Sequence, residues 1–390
     1  MAGCVCGPES CLSPIYRDSE MQAPLARYAD QIRAAASAGS GLRLCGGGTK
    51  DFYGGPLEGT TLDIRDYAGI VTYEPSELVL TARGGTPLSV VEETLAARNQ
   101  MISFEPPHYG AGSTLGGCIS AGLSGPRRAA NGLYYGAARD YVLGCVLMDG
   151  RGDVVRFGGQ VMKNVAGYDV SRLAVGSMGT LGVILEVSLK VLPVPVARST
   201  LQFAMDEAEA LAKLNEWGGR PLPVSASAWK NGTLCLRLEG AAAAVDAACT
   251  ELGGKPMDDG HAAQFWEGVR NQTDPFFAHP DALWRLSLPS AAKSGVLPQA
   301  LAGRQLIEWG GALRWFKTDA DSATVRSAAI SVGGHATLFR GGDRSNGVFQ
   351  PLEAVLARLH RNVKAVFDPA GVFNRGRLYP EMPSGMQEAT

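Results

Sequence analysis

Cysteine, histidine and charge are all scarce in this chain. Its 390 residues include eight cysteines and five histidines, and 19% of them are charged. Eight cysteines are too few for a disulfide scaffold, and a reducing compartment would keep them as thiols. Cys4, Cys6 and Cys11 sit close together, but their spacing matches neither the paired Cys-x-x-Cys of zinc sites nor an iron–sulfur run. Residues 1–20 therefore read as a disordered, functionally silent leader. No stretch approaches the ~20 apolar residues of a membrane helix. The first residues lack the basic and apolar regions of a secretory signal, so the cytoplasm is the expected compartment. A formal net charge of −2 without a long basic run argues against nucleic acid as a partner.

Glycine, in contrast, is abundant at 50 residues, and it is clustered rather than periodic. The first cluster, "LRLCGGGTKDFYGG", follows a strand-like stretch from Leu42. It lacks the spacing and the hydroxyl of a Walker A loop, and it does not open a helix as a dinucleotide-binding Rossmann turn would. A backbone nest remains: consecutive glycines aim successive N–H groups at one anion. Alone, this loop reads equally well as a bare turn. The second cluster, "GAGSTLGGCISAGLSGP", places glycines and hydroxyls at both ends of a small-residue helix, whose first amides are unpaired. A third, "GSMGTLGVI", runs from Gly176 to Ile184. Three open-backbone sites suggest one long cofactor with a pyrophosphate, a ribose and two ring systems.

The order of elements is α+β. Leu25, Tyr28, Ile32 and Ala35 make one face of an amphipathic helix over 21–38. Thr86 is placed to cap a following helix, with Pro87 at its first position. A hairpin is expected around Asp149-Gly150. After Pro195 the pattern spells βαββαβ, a ferredoxin-like order, with further strands extending the same sheet. A helix over 351–367 and the loop "DPAGVFNRGRLYP" close the chain.

The strings "LRLCGGGTKDFYG", "GSTLGGCISAGLSGPRR", "RDYVLGCVLMDGRGDVVRFGG" and "FDPAGVFNRGRLYP" resemble the vanillyl-alcohol-oxidase (PCMH-type) class of FAD-binding oxidoreductases. "MKNVAGYD", "LSGPRR" and "GGHATLFRGGDR" are similar, more narrowly, to the FAD-binding subunits of bacterial glycolate oxidases (glycolate dehydrogenases). The resemblance covers about residues 22–382. It implies a two-part PCMH-type FAD-binding domain over 21–196, a ferredoxin-like substrate or cap domain over 197–345, and a helix and loop over 346–382 returning to the flavin. It implies that Gly46, Gly47, Gly48 and Thr49 form the pyrophosphate loop. Gly112, Ser113, Thr114, Gly116 and Gly117 would face the pyrophosphate, ribityl chain and flavin, with Gly122 and Ser124 near the isoalloxazine. Gly179, Gly182 and Val183 would lie by the adenosine half, and Asn374, Gly376 and Arg377 would bring the C-terminus onto the flavin. Relatives that tether FAD carry a histidine where Thr49 stands, so the FAD is expected to be non-covalent.

A flavin accepting a hydride needs donors or positive charge near N1 and the C2 carbonyl, for which Arg375 and Arg377 are candidates. The family pattern has proline in place of Arg375. A 2-hydroxy acid needs a cation on its carboxylate and a base for its hydroxyl. His335, Arg285 and Arg340 are the candidates, against the alternative that all three are structural. The histidine-rich strand of metal-assisted relatives is absent, so no metal is expected. Lys163 and Asn164 could approach the cofactor or a subunit face. Three functions follow. The first is the FAD-binding subunit of a glycolate-oxidising complex, beside a larger FAD-linked catalytic subunit and an iron–sulfur subunit, reaching the inner membrane only through partners. The second is a stand-alone FAD-dependent 2-hydroxy-acid dehydrogenase. The third is an FAD-stabilised assembly subunit whose flavin never cycles.

Overall fold

The computed structural model describes residues 19–129, 136–159, 169–278, 280–297 and 304–380. Lys163, Asn164, His279 and the three cysteines before residue 18 lie outside the described residues.

The first half is built on a five-stranded antiparallel sheet in the order Ile70–Glu74, Val79–Arg83, Val183–Lys190, Val142–Met148, Val154–Gly158. The last pair is the hairpin expected around Asp149-Gly150. The central strand Val183–Lys190 is buried on both faces because both are covered, and it is apolar apart from Glu186, Ser188 and the terminal Lys190. Ile184, Val187 and Leu189 pack with Leu88 and Val91 of the helix Leu88–Ala96 and with Leu115 and Ile119 of the helix Leu115–Ala121. Val183 and Leu185 face the other way, onto Tyr28 and Ile32 of the helix Ser19–Ala38. The stripe read from the sequence is the buried one there: Leu25, Tyr28, Ile32 and Ala35 are all in the core.

One helix start differs from expectation. Pro87, not Thr86, occupies the capping position, and it makes no side-chain cap. The Thr86 hydroxyl is used at long range instead: it accepts from Gly69 N at 2.9 Å and donates to Gly69 O at 3.1 Å. The closing helix also starts later than its apolar pattern suggests, at Ala354.

The second half is one eight-stranded sheet. Its first four strands stand in the order Lys255–Pro256, Ala197–Ala204, Thr233–Gly240, Val224–Lys230, which is the ferredoxin-like order for βαββαβ. Arg304–Glu308, Leu313–Lys317, Leu283–Ser287 and His335–Arg340 extend it, all antiparallel. The helices Glu207–Gly218 and Ala242–Leu252 cover one face.

The other face meets the first half. Leu283, Leu306, Leu313, Trp315 and Phe339 pack with Tyr53, Ala121, Leu123 and Met178. Beside this apolar seam lies a buried ionic one. Arg127 donates to Glu239 at 2.7 Å, and Arg237 donates to Glu105 at 2.9 Å. Burial alone would raise the Glu105 pKa, but Arg237 and Arg127 outweigh it and hold the carboxylate at about 2.

The chain end returns to its beginning. Leu42 N donates to Val372 O at 2.7 Å and Asn374 N to Leu42 O at 2.9 Å, so residues 372–374 lie parallel to Leu42–Cys45. Leu42–Cys45 pairs on its other side with Thr60–Asp63. This small layer carries the glycine loop at its end.

Candidate functional site

The strand Leu42–Cys45 ends in a cleft open to solvent. Gly46, Gly47, Gly48 and Thr49 line it from the first loop, Ser113, Thr114 and Gly117 from the second cluster, and Asn374 and Arg377 from the C-terminal return. The loops are close enough that side chains would collide. A Cβ on Gly47 would fall 1.5 Å from Gly112 O, and one on Gly46 would fall 2.3 Å from Thr114 Oγ1. The bare backbone is thus required by loop-on-loop packing, and it leaves amides open toward the cleft. Thr114 caps the helix Leu115–Ala121, its hydroxyl accepting from Gly117 N at 3.2 Å. That helix has only seven residues, so the polarity of the cleft comes chiefly from the loops.

Lys50 is a cleft residue that sequence reasoning passed over, although it directly follows the loop. Its ammonium donates to Ser113 Oγ at 2.8 Å and to His108 O at 3.4 Å, and it has no carboxylate partner among the described residues. Burial pushes its pKa below the usual lysine range. Asp51, next to it, is taken by Arg43. Lys50 is therefore an uncompensated positive charge on the cleft wall.

The two C-terminal residues hold the cleft together. Asn374 is buried; its Oδ1 accepts from Leu44 N at 2.8 Å and its Nδ2 donates to Met178 O at 2.6 Å. Arg377 is 5% exposed and donates to the carbonyls of Asp51, Tyr53 and Gly55, curling residues 51–55 around its guanidinium. Burial lowers its pKa to about 10. Arg344 holds the same loop through Phe52 O at 2.6 Å and Gly54 O at 3.0 Å. Arg375 points elsewhere, to Gly371 O and Gly39 O.

The remaining predicted positions stand behind the cleft. Gly112 backs Gly47, and Gly116 N donates to Gly84 O at 2.8 Å. Gly122 ends its helix in the left-handed region at φ 63°, with a Cβ position 2.8 Å from Gly176. Gly179, Gly182 and Gly376 all have positive φ, the first beside Asn374, the second against Met148 O and the third near Pro56. Val183 is 1% exposed in the core beside Val146 and Met148, so only its main chain could meet a ligand. Ser124 accepts from Ala138 N at 3.1 Å and lines a second cavity.

That second cavity, a narrow one, lies at the seam. Tyr109, Leu123, Ser124 and Gly125 wall it from the first half; Arg270, Gln272, Arg285, Glu308 and Trp315 wall it from the second. Arg285 is the one member of the predicted catalytic trio that lines it. Arg340 stacks 4.5 Å above the Phe52 ring and donates to Gln272 Oε1 at 2.9 Å. His335 is exposed at the head of its strand, opposite Ser287, and partial desolvation and the cations Arg285 and Arg128 lower its pKa. Glu308 gave no signal in the sequence. It is buried, its Oε1 accepts from Trp315 Nε1 at 2.7 Å, and burial raises its pKa to about 8 against the pull of that bond and of Arg285. Among the described residues, no group of three or more His, Cys, Asp or Glu side chains could hold a metal ion.

With this geometry in hand, the relationships are clear. Residues 26–158 match a family model described as an FAD binding domain. Two solved structures of alkyldihydroxyacetonephosphate synthase share the fold, one at a TM-score of 0.61 over 89% of this chain and 74% of that one, with 15% identity. The class is thus an α+β protein with a PCMH-type FAD-binding fold. More narrowly, the chain is 48% identical to the glycolate oxidase subunit GlcE of Escherichia coli (strain K12), over 90% of this chain and 97% of that one. It belongs to the GlcE family. It is also 32% identical to the glycolate oxidase subunit GlcD of Bacillus subtilis (strain 168), but over only 53% of this chain and 42% of that one. A D-lactate dehydrogenase of Archaeoglobus fulgidus is 43% identical over 25% of this chain and 21% of that one.

Proposed function

We propose that this chain is the FAD-binding subunit of a multi-subunit glycolate oxidase. In this reading it holds FAD without a covalent bond and shares the oxidation of glycolate to glyoxylate with a larger FAD-linked subunit. Electrons leave through an iron–sulfur subunit. The observation that carries the reading is the cleft with its uncompensated Lys50. Main-chain amides of Gly46–Thr49, the hydroxyls of Ser113 and Thr114, and the Lys50 ammonium make a donor set whose one carboxylate, Asp51, is neutralised by Arg43, which suits a pyrophosphate. When bound, the flavin supplies a two-electron acceptor; this chain contributes the grip. Thr49 has no ring nitrogen with which to tether it. The domain limits near 196 and 345 belong to the same reading, supported by the change from one sheet to the next between Lys190 and Ala197. So does a cytoplasmic location with membrane contact through partners; among the described residues no helix is long and apolar enough to cross a membrane.

The test is purification of the chain with and without its partner subunits, followed by acid precipitation and flavin counting. About one FAD per chain, released into the supernatant, is the expected result. A folded chain that takes up no FAD in either preparation overturns the reading. The seam cavity favours a second reading, a chain able to oxidise a small 2-hydroxy acid by itself. Anaerobic flavin bleaching by glycolate in the isolated chain separates the two.

A further inference from the structure

One helix is built unlike the others. Ala354–Phe367 has 14 residues and buries none of them, whereas every other described α-helix buries at least two. Its capping position, Glu353, makes no side-chain cap. Helices of this length are marginal in water and are ordinarily held by the packing of an apolar face. Here only one edge is held. Lys364 Nζ donates to Thr180 O at 2.9 Å, to Phe373 O at 2.9 Å and to Asp368 Oδ2 at 2.6 Å. The Phe367 ring meets the Phe157 ring edge-on at 5.9 Å.

The apolar face is left bare. Val355, Leu356, Leu359 and Val366 are 61%, 48%, 51% and 64% exposed. At 3.6 residues per turn they form one stripe, with the half-buried Val363 inside it. Around the helix, this stripe runs between the body-facing Phe367 and Lys364 on one side and Arg358 and Arg361 on the other. Both arginines are exposed, and neither has a hydrogen bond or an ion pair among the described residues. The helix contains no Asp or Glu.

Charge decides between the possible occupants. A second copy packed helix to helix would set arginine against arginine, with no carboxylate from either helix between them. A helix lying on an anionic membrane spreads its cations over the polar face and turns its large apolar side chains down into the lipid. Here the one aromatic, Phe367, is turned into the protein, and the free cations flank the stripe on one side only. An apolar strip with an arginine rim is instead the anatomy of a specific protein interface.

We propose that this helix is the docking face for another subunit, whose contact surface is an apolar ridge bordered by carboxylates. The proposal rests on the reading that the chain is one subunit of a multi-subunit enzyme. The stripe supplies the water-excluded centre of the contact, and Arg358 and Arg361 pair with the partner's carboxylates at its rim. The face is also joined to the cofactor cleft. Asp368, which Lys364 holds, accepts from Val372 N at 2.9 Å and from Phe373 N at 2.8 Å, and Asn374 of the cleft follows directly. A partner seated on the helix thus stands one short chain segment from the residues that shape the cleft.

The experiment uses the full chain, alone and co-expressed with its partner subunits. Leu356→Glu with Leu359→Glu puts good helix formers on a bare face, so the isolated chain should keep its Tm and its FAD content. Its affinity for the partner, read by sedimentation over a range of concentrations, should fall about thirtyfold or more. Arg358→Glu with Arg361→Glu should weaken assembly about tenfold at low salt and less at high salt. Ile330→Glu, at a residue 57% exposed on the helix Ser322–Ser331, should leave assembly unchanged. Wild-type assembly by the stripe variant, or an equal loss in Ile330→Glu, overturns the proposal. So does a lowered Tm of the isolated stripe variant, because the chain's own residues would then be covering the face. A wild-type dimer that the stripe variant dissociates would make a second copy the occupant. Flotation of the wild-type chain, but not of the stripe variant, with vesicles of phosphatidylcholine and phosphatidylserine would make it a membrane. Either result also overturns the proposal. A wild-type chain that assembles with no partner fails earlier, at the reading on which the proposal rests.

Discussion

The glycine cleft and the seam cavity lie side by side and are made by opposite means. The cleft is a main-chain surface: its glycines let two loops touch, and Asn374, Arg344 and Arg377 spend their side chains on carbonyls and amides to hold it open. The cavity is a side-chain chamber: Arg285, Glu308 and Trp315 each come from a different strand, and its neighbours Glu105, Arg127, Arg237 and Glu239 bury four charges. Where its loops touch, a main-chain surface tolerates no added atoms, and it depends on few charges. A side-chain chamber tolerates small changes of shape and is sensitive to any lost charge.

The largest effect should come from the charges. Arg237→Met leaves Glu105 and Glu239 short of a cation in a dry seam and should cost about 3–5 kcal/mol, read by thermal unfolding. An unchanged Tm would mean that apolar contacts alone hold the halves together. The same network predicts a pH dependence. The folded pKa of Glu105 is depressed from 4.5 to about 2, so its contribution is present above pH 4.5 and is lost as pH falls toward 2. Glu105→Gln should flatten the unfolding curve in that window.

Next come the two glycines that touch. Gly47→Ala drives a methyl into Gly112 O and should cost about 3 kcal/mol together with the bound flavin. Gly112→Ala, whose Cβ meets nothing nearer than 3.4 Å, should fold and load normally. Equal behaviour of the pair would break the claim that loop packing demands the glycine. Asn374→Ala strands Leu44 N and Met178 O, which should cost about 1–3 kcal/mol of stability by thermal unfolding. The smallest expected effect is Lys50→Met. FAD binding, measured by flavin fluorescence, should weaken about tenfold, roughly 1.4 kcal/mol, with less dependence on salt. Unaltered affinity would make Lys50 a packing residue like its neighbours.

Legibility followed the same division. The glycine loops, the buried stripe of the first helix, the hairpin at Asp149-Gly150 and the ferredoxin-like order all follow from local pattern, and the structure contains each of them. Thr86 was misread as a cap because its partner, Gly69, is distant in the chain. Lys50 was visible beside the glycines, but nothing in the string says that its neighbour Asp51 is claimed by Arg43 and leaves it unpaired. Glu308, in "IEWGG", looks like any acid before a turn; burial against Trp315 is what sets it apart.

What the sequence alone determined was where side chains had to be absent and where apolar faces recur, because steric room and helical or strand periodicity act over a few residues. The tertiary structure decided which charges would be left without partners. That depends on what several distant strands bring to one buried place, and the energy of a charge is set by everything around it.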